Sequence, residues 1–221
     1  MFRSCISLVT APELLATTLA KKCYYDMFEG CTSLVTAPEL PATTLAVSAY
    51  TSMFKGCTSL VTAPELPATT LADYCYSNMF EGCTSLVTAP TILPATKLAP
   101  SCYHSMFRNC TSLVTAPELP ATTLADSCYN YMFRSCISLV TAPELLATTL
   151  AKKCYSEMFR NCTSLNSITM LATDISALGC LNEWVKSVAS TGTFTKAASM
   201  TSLPSGSSGI PSGWGVQDYV A

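Results

Sequence analysis

"LPATTLADYCYSNMFEGC", residues 66–83, carries its own start and stop signals, and close copies of it recur down most of the 221-residue chain. At about 100° per residue, Leu71, Ala72, Cys75, Tyr76, Met79 and Phe80 fall on one half of a helical circumference. Asp73, Tyr74, Ser77, Asn78 and Glu81 fall on the other half. The first set barely changes between copies and the second changes freely, which predicts a helix with one broad buried face. Thr70 stands where an N-cap is needed, and Asp73 and Asp126 lie in the first turn, where the helix dipole favours acid. Before each Cys comes Gly, Asn or Ser (Ser4, Gly30, Gly56, Gly82, Asn109, Ser135, Asn161). Gly and Asn tolerate the left-handed conformation that closes a helix.

Outward from this stretch, the pair Met-Phe occurs at 1, 27, 53, 79, 106, 132 and 158, a spacing of 26 with a single 27. The longer interval holds "APTILPATKLAP" in place of "APELPATTLA", one residue inserted at a turn. Residues 1–24 and 132–155 are identical, as expected of recently duplicated modules. Met1-Phe2 falls directly on a repeat position, so the first module starts midway, with either a preceding part or an uncapped first repeat. Between helices, Leu86 to Ala89 forms at most a short strand, because Pro90 has no N–H to donate. A short strand, a Pro-bounded turn and a returning helix make one coil, and strands of successive coils stack in parallel about 4.8 Å apart. Seven or eight coils then span roughly 35 Å, each stabilised by its neighbours rather than alone.

The pattern "MFxxCxSLxxAPxLPATTLAxxCY" resembles the BspA-like leucine-rich repeats of bacterial surface proteins over residues 1–165. The tail "GTFTKAASMTSLPSGSSGIPSGWGVQ" is similar to the ending of such proteins. The resemblance implies an α/β fold: a right-handed leucine-rich-repeat solenoid of about seven strand-turn-helix coils, with a parallel sheet on one face and helices on the other. It also implies adhesion or host interaction at the cell surface or outside the cell. The expected division is a solenoid over 1–165, a degenerate eighth repeat over 166–189 and a Ser/Gly-rich C-terminal cap or tail over 190–221. In the eighth repeat Cys180-Leu181 and Trp184-Val185 take the places of Cys154-Tyr155 and Met158-Phe159.

Composition narrows the function. The chain is 49% hydrophobic and 12% charged with net charge −2, which offers no field for nucleic acid or an anionic membrane. No apolar run reaches the roughly 18 residues of a membrane span, and no signal-peptide pattern opens the chain. Thirteen cysteines fall in two columns, one of which accepts Ala49, so they read as buried thiols rather than disulfides. Zinc needs clustered short spacings that are missing, and no cofactor is expected. His104, the single histidine, sits on a variable position read as solvent-facing, which leaves nucleophilic catalysis without a base. Glu13, Glu39, Glu65, Glu118 and Glu144 form an acidic column read as solvated turn residues. Threonine rows that could match an ice lattice are read as helix caps (Thr43-Thr44 and equivalents) and one strand row (Thr36, Thr62, Thr88, Thr115, Thr141).

The reading is therefore a non-enzymatic binding or adhesion scaffold recognising a protein or glycan. The alternative is a structural spacer or internal scaffold with no dedicated ligand. The candidate recognition surface is the variable helix face: Tyr25, Asp26, Tyr74, Asn78, His104, Asn130, Tyr131 and Glu157. Trp214 in "GWGV" is expected to cover the last coil.

Overall fold

The chain winds into coils that stack in register, and the winding follows from where each backbone N–H finds its partner. The computed structural model describes residues 2–220; Met1 of the Met-Phe column and Ala221 of the C-terminal segment lie outside the described residues. In residues 20–31 the N–H groups of Cys23, Tyr25, Met27, Glu29 and Cys31 close turns onto carbonyls three residues back. The intervening N–H groups, of Lys22, Tyr24, Asp26, Phe28 and Gly30, donate instead to Val47, Ala49, Thr51, Met53 and Lys55 of the next coil, at 2.8–3.0 Å. An α-helix would keep all of these bonds within itself.

The expected helices are thus corrected: among the described residues there is no helix, and "TLADYCYSNMFEG" and its copies are runs of consecutive turns. The physical reason is a left-handed residue at every fourth position, at Tyr74 (φ 58°), Asn78 (φ 57°) and Gly82 (φ 74°) in this coil. The same places hold Ser48, Ser52 and Gly56 in one neighbouring coil and Ser101, Ser105 and Asn109 in the other. Left-handed backbone disrupts a right-handed helix. It suits a four-residue unit in which Leu71, Cys75, Met79 and Cys83 return to the same side without drift. In a helix each step of four would rotate them by about 40°.

The sheet side is a ladder of single parallel bridges, Thr10 to Thr36, Thr62, Thr88, Thr115, Thr141 and Ser167 in turn. Each Thr in this row is followed two positions later by a Pro, which ends the pairing. Where Ser167-Ile168-Thr169-Met170 lacks that Pro, a full strand forms, β1 (Ser167–Met170). It pairs in parallel with β2 (Thr193–Lys196), and β2 pairs with β3 (Gly215–Asp218). The fold is therefore a repeat stack with a parallel sheet but no helical layer among the described residues. The C-terminal segment adds two further rungs to that sheet. Its Trp214 is buried, with Nε1 donating to the Ala189 carbonyl at 2.8 Å.

The core runs along the stack axis. Phe2, Phe28, Phe54, Phe80, Phe107, Phe133 and Phe159 stack with ring centroids 5.5–5.7 Å apart. A parallel tyrosine ladder runs from Tyr24 to Tyr155 at 5.7–6.0 Å. Stacked rings at such distances add to the area they bury. Identical side chains meet identical side chains, so each coil fits any neighbour.

Candidate recognition surfaces

Two surfaces vary or repeat enough to carry recognition: the outside of the turn runs and the face bearing the Thr bridges. On the turn side the eight predicted residues come to the same flank but not to one open patch. Tyr25 and Tyr74 are exposed, at 39% and 50%. Asp26, Asn78, His104 and Tyr131 are half-buried. Asn130 and Glu157 are buried, which corrects the expectation of a solvent-facing set. Asp26, Tyr74, Asn78, Tyr131 and Glu157 occupy left-handed turn positions, so backbone geometry bears on what those positions accept.

Several of these residues hold coil to coil. Asn130 Nδ2 donates to the Ser156 carbonyl at 2.8 Å, and the Tyr74 carbonyl accepts from Thr51 Oγ1. Glu157 lies between Arg134 (2.9 Å) and Arg160 (3.0 Å), and Arg160 also reaches Glu183. Further along, Glu81 lies between Lys55 (3.0 Å) and Arg108 (3.6 Å), while Arg3 pairs with Asp26 and Glu29. The Tyr131 ring takes the place of a carboxylate between Arg108 and Arg134, with the two guanidinium centres 5.9 and 5.4 Å from its centroid. His104 meets that ring edge-on at 5.5 Å, and burial lowers its pKa, so the expected solvent-facing imidazole is corrected. Along the turn side these ion pairs link neighbouring coils, while Asp73, Asp126, Lys152 and Lys153 stand exposed without an ion-pair partner among the described residues.

The bridge side is different. Val9, Val35, Val61, Val87, Val114 and Val140 form an exposed apolar row, each 41–56% accessible, beside the exposed Thr bridge row. The Thr43-Thr44 equivalents cap nothing, because no helix follows them; they are exposed and bridge between coils, as Thr44 does with Thr70. Lys97 and Asp174 interrupt their row, so it presents no uniform threonine plane. Next to the bridge row the Glu13, Glu39, Glu65, Glu118 and Glu144 carboxylates are exposed, in clefts walled by Pro and Leu. Sequence reasoning saw this acidic column but gave it no role. The signal available was that Glu returns at the same place, flanked by Pro-Glu-Leu, in five coils.

Most of the thiols are held in the core. The cysteines are all free, and eleven of the thirteen are buried. Six thiols, from Cys31 to Cys162, donate to phenylalanine carbonyls of the preceding coil at 2.8–3.1 Å. Burial raises their pKa and suppresses the thiolate that nucleophilic or metal chemistry needs. Among the described residues no three His, Cys, Asp or Glu gather as a metal site, and no helix is long and apolar enough to cross a membrane. The pattern of the BspA type leucine rich repeat region matches in six copies, over residues 1–113 and 101–196. No curated protein and no solved structure matches the chain.

Proposed function

Since the chain belongs to the BspA-type leucine-rich-repeat family, we propose that it is a non-enzymatic binding or adhesion scaffold that recognises a protein or glycan through a repeated surface, at the cell surface or outside the cell. The observation that carries the reading is the bridge side. The same exposed Val, Thr and Glu side chains recur coil after coil on a backbone whose Phe, Tyr and Cys core barely changes. A rigid repeat presenting one row of groups many times suits an extended ligand. Residues 1–165 and the degenerate coil over 166–189 form the presenting stack, and 190–221 closes its end. A right-handed winding, as parallel crossovers adopt, completes the picture.

The turn side favours a second reading, a structural spacer. Glu81 and Glu157 are each shared with cations of neighbouring coils, which serves cohesion rather than capture. The two readings separate on an array of immobilised extracellular-matrix proteins and glycans probed with the full chain. A scaffold for adhesion is retained on a defined subset of spots. A spacer is retained on none.

A further inference from the structure

Four clefts follow one another along the bridge side. One of about 450 Å³ opens between Glu13 and Glu39, and one of about 330 Å³ between Glu39 and Glu65. Two more, of about 490 and 400 Å³, include Glu118 further along the stack. Ala37 lies in both of the first two clefts, and Leu15, Pro41 and Pro67 give them apolar walls.

Charge is divided between the two sides of the molecule. On the turn side Asp26, Glu29, Glu81, Glu157 and Glu183 each have a Lys or Arg nitrogen within 3.6 Å. In the clefts Glu13, Glu39, Glu118 and Glu144 have no salt-bridge partner among the described residues. Glu65 accepts only from Thr91, through its N–H at 3.1 Å and Oγ1 at 3.0 Å. Glu13, Glu39, Glu65, Glu118 and Glu144 therefore form a file of carboxylates without a cationic partner among the described residues, against apolar walls, while the unpaired Asp73, Asp126 and Asp174 stand singly outside it.

The spacing of that file selects the shape of a cationic partner. Bridged coils lie about 4.8 Å apart. One turn of α-helix rises about 5.4 Å, so a cation on each turn drifts by about 1.2 Å across three carboxylates. Alternate residues of an extended peptide repeat every ~6.7 Å and drift by about 4 Å over the same file. Flexible Lys and Arg stems absorb the smaller drift and lay their methylenes on apolar surface.

We propose that the groove from Glu13 to Glu65 binds a basic amphipathic helix of a partner protein. One Lys or Arg per turn faces Glu13, Glu39 and Glu65, and the helix's apolar edge lies on Leu15, Pro41 and Pro67. The proposal rests on the scaffold reading above and names its surface and its partner class.

The test is a titration of the full chain with a labelled synthetic helix of about 16 residues, roughly 24 Å long, carrying Lys at successive turns beside a Leu edge. Anisotropy should show saturable one-to-one binding, weakened at higher salt, and circular dichroism should show the peptide gaining helix on binding. E39Q/E65Q should lose at least about tenfold in affinity while keeping the wild-type melting temperature, and E118Q/E144Q should bind as the wild type does. A scrambled peptide of the same composition should bind at least about tenfold more weakly. Absence of binding, equal binding of the scrambled peptide, or undiminished binding by E39Q/E65Q overturns the proposal. Equal binding of a soluble cationic amino-sugar polymer, competing at the same site, overturns it too. If the peptide fails while the full chain is still retained on the protein and glycan array, the groove assignment falls and the scaffold stands. If the wild type is retained nowhere on that array, the scaffold reading itself falls.

Discussion

Cys83 sits with its thiol 3.0 Å from the Phe54 carbonyl of the preceding coil, and the contact repeats at Cys57 and Cys110. Desolvation is the main cause that pushes these thiols up, Cys57 from its ordinary value of 9.0 to about 12. An unfolded chain would release these protons near pH 9, well before the folded one. The stability they contribute is complete below about pH 9 and is lost as pH rises toward 12, at up to ~1.4 kcal/mol per thiol per pH unit. The urea midpoint should therefore fall steeply between about pH 9 and pH 12, in proportion to the number of buried thiols. A flat profile would mean the thiols titrate normally in the fold. Tyrosine supplies a second case: the hydroxyls of Tyr50, Tyr76 and Tyr103 are buried without a hydrogen-bond partner. Removing one by Tyr76→Phe leaves the ring stack in place and should raise stability by about 1 kcal/mol in urea unfolding. A loss of that size instead would reveal a partner for the hydroxyl. Burial of both residue types was legible from their invariance, since a position that accepts Ala49 for Cys is chosen for size. The thiol-to-carbonyl bonds were not, because they join residues 29 or 30 positions apart.

At the scale of the element, the boundary signals were legible while the element itself was misread. The buried Cys75, Tyr76, Met79 and Phe80, with the half-buried Leu71 and Ala72, satisfy a helix of 3.6 residues per turn and a turn run of four almost equally well over so short a stretch. What separates them is the positive φ at every fourth residue, where Ser, Asn and Gly are frequent but Asp26, Tyr74, Tyr131 and Glu157 also stand, and which the helix reading used only at the final position. Ser52 (φ 53°) lies in the middle of such a run. In a helix, Ser52→Gly would cost up to about 1 kcal/mol. In the turn run it relieves left-handed strain and should raise stability by about 1 kcal/mol, read from the thermal midpoint with ΔH held comparable. The strand side was better foreseen, since Pro90 and its equivalents confine pairing to single bridges. In the same terms, Thr169→Pro should shorten β1 and destabilise its pairing with β2 by about 3 kcal/mol, seen as lost amide protection at β2.

For the whole molecule, identical interfaces make coils exchangeable, and that exchangeability follows directly from the repeat. Residues 1–24 and 132–155 share one sequence, yet the second copy has a coil on each side. Lys152, Cys154 and Ser156 accept bonds from Ser127, Tyr129 and Tyr131. The candidate recognition surface was only half legible. Variability pointed to the turn side, where Asn130, Glu81 and Glu157 prove to hold one coil to the next. The groove lies in residues that hardly vary, and its shape depends on how Pro-Glu-Leu corners line up across coils. Removal of residues 58–83 joins Cys57 to Thr84 and restores the sequence Gly-Cys-Thr-Ser-Leu at the junction. Small-angle scattering of this deletion, compared with the full chain, bears most directly on the account. A stack of interchangeable coils predicts a cooperatively folded protein with the same cross-section, shorter along its axis by about 5 Å. A deletion that fails to fold, or folds with its long dimension unchanged, would contradict the stack.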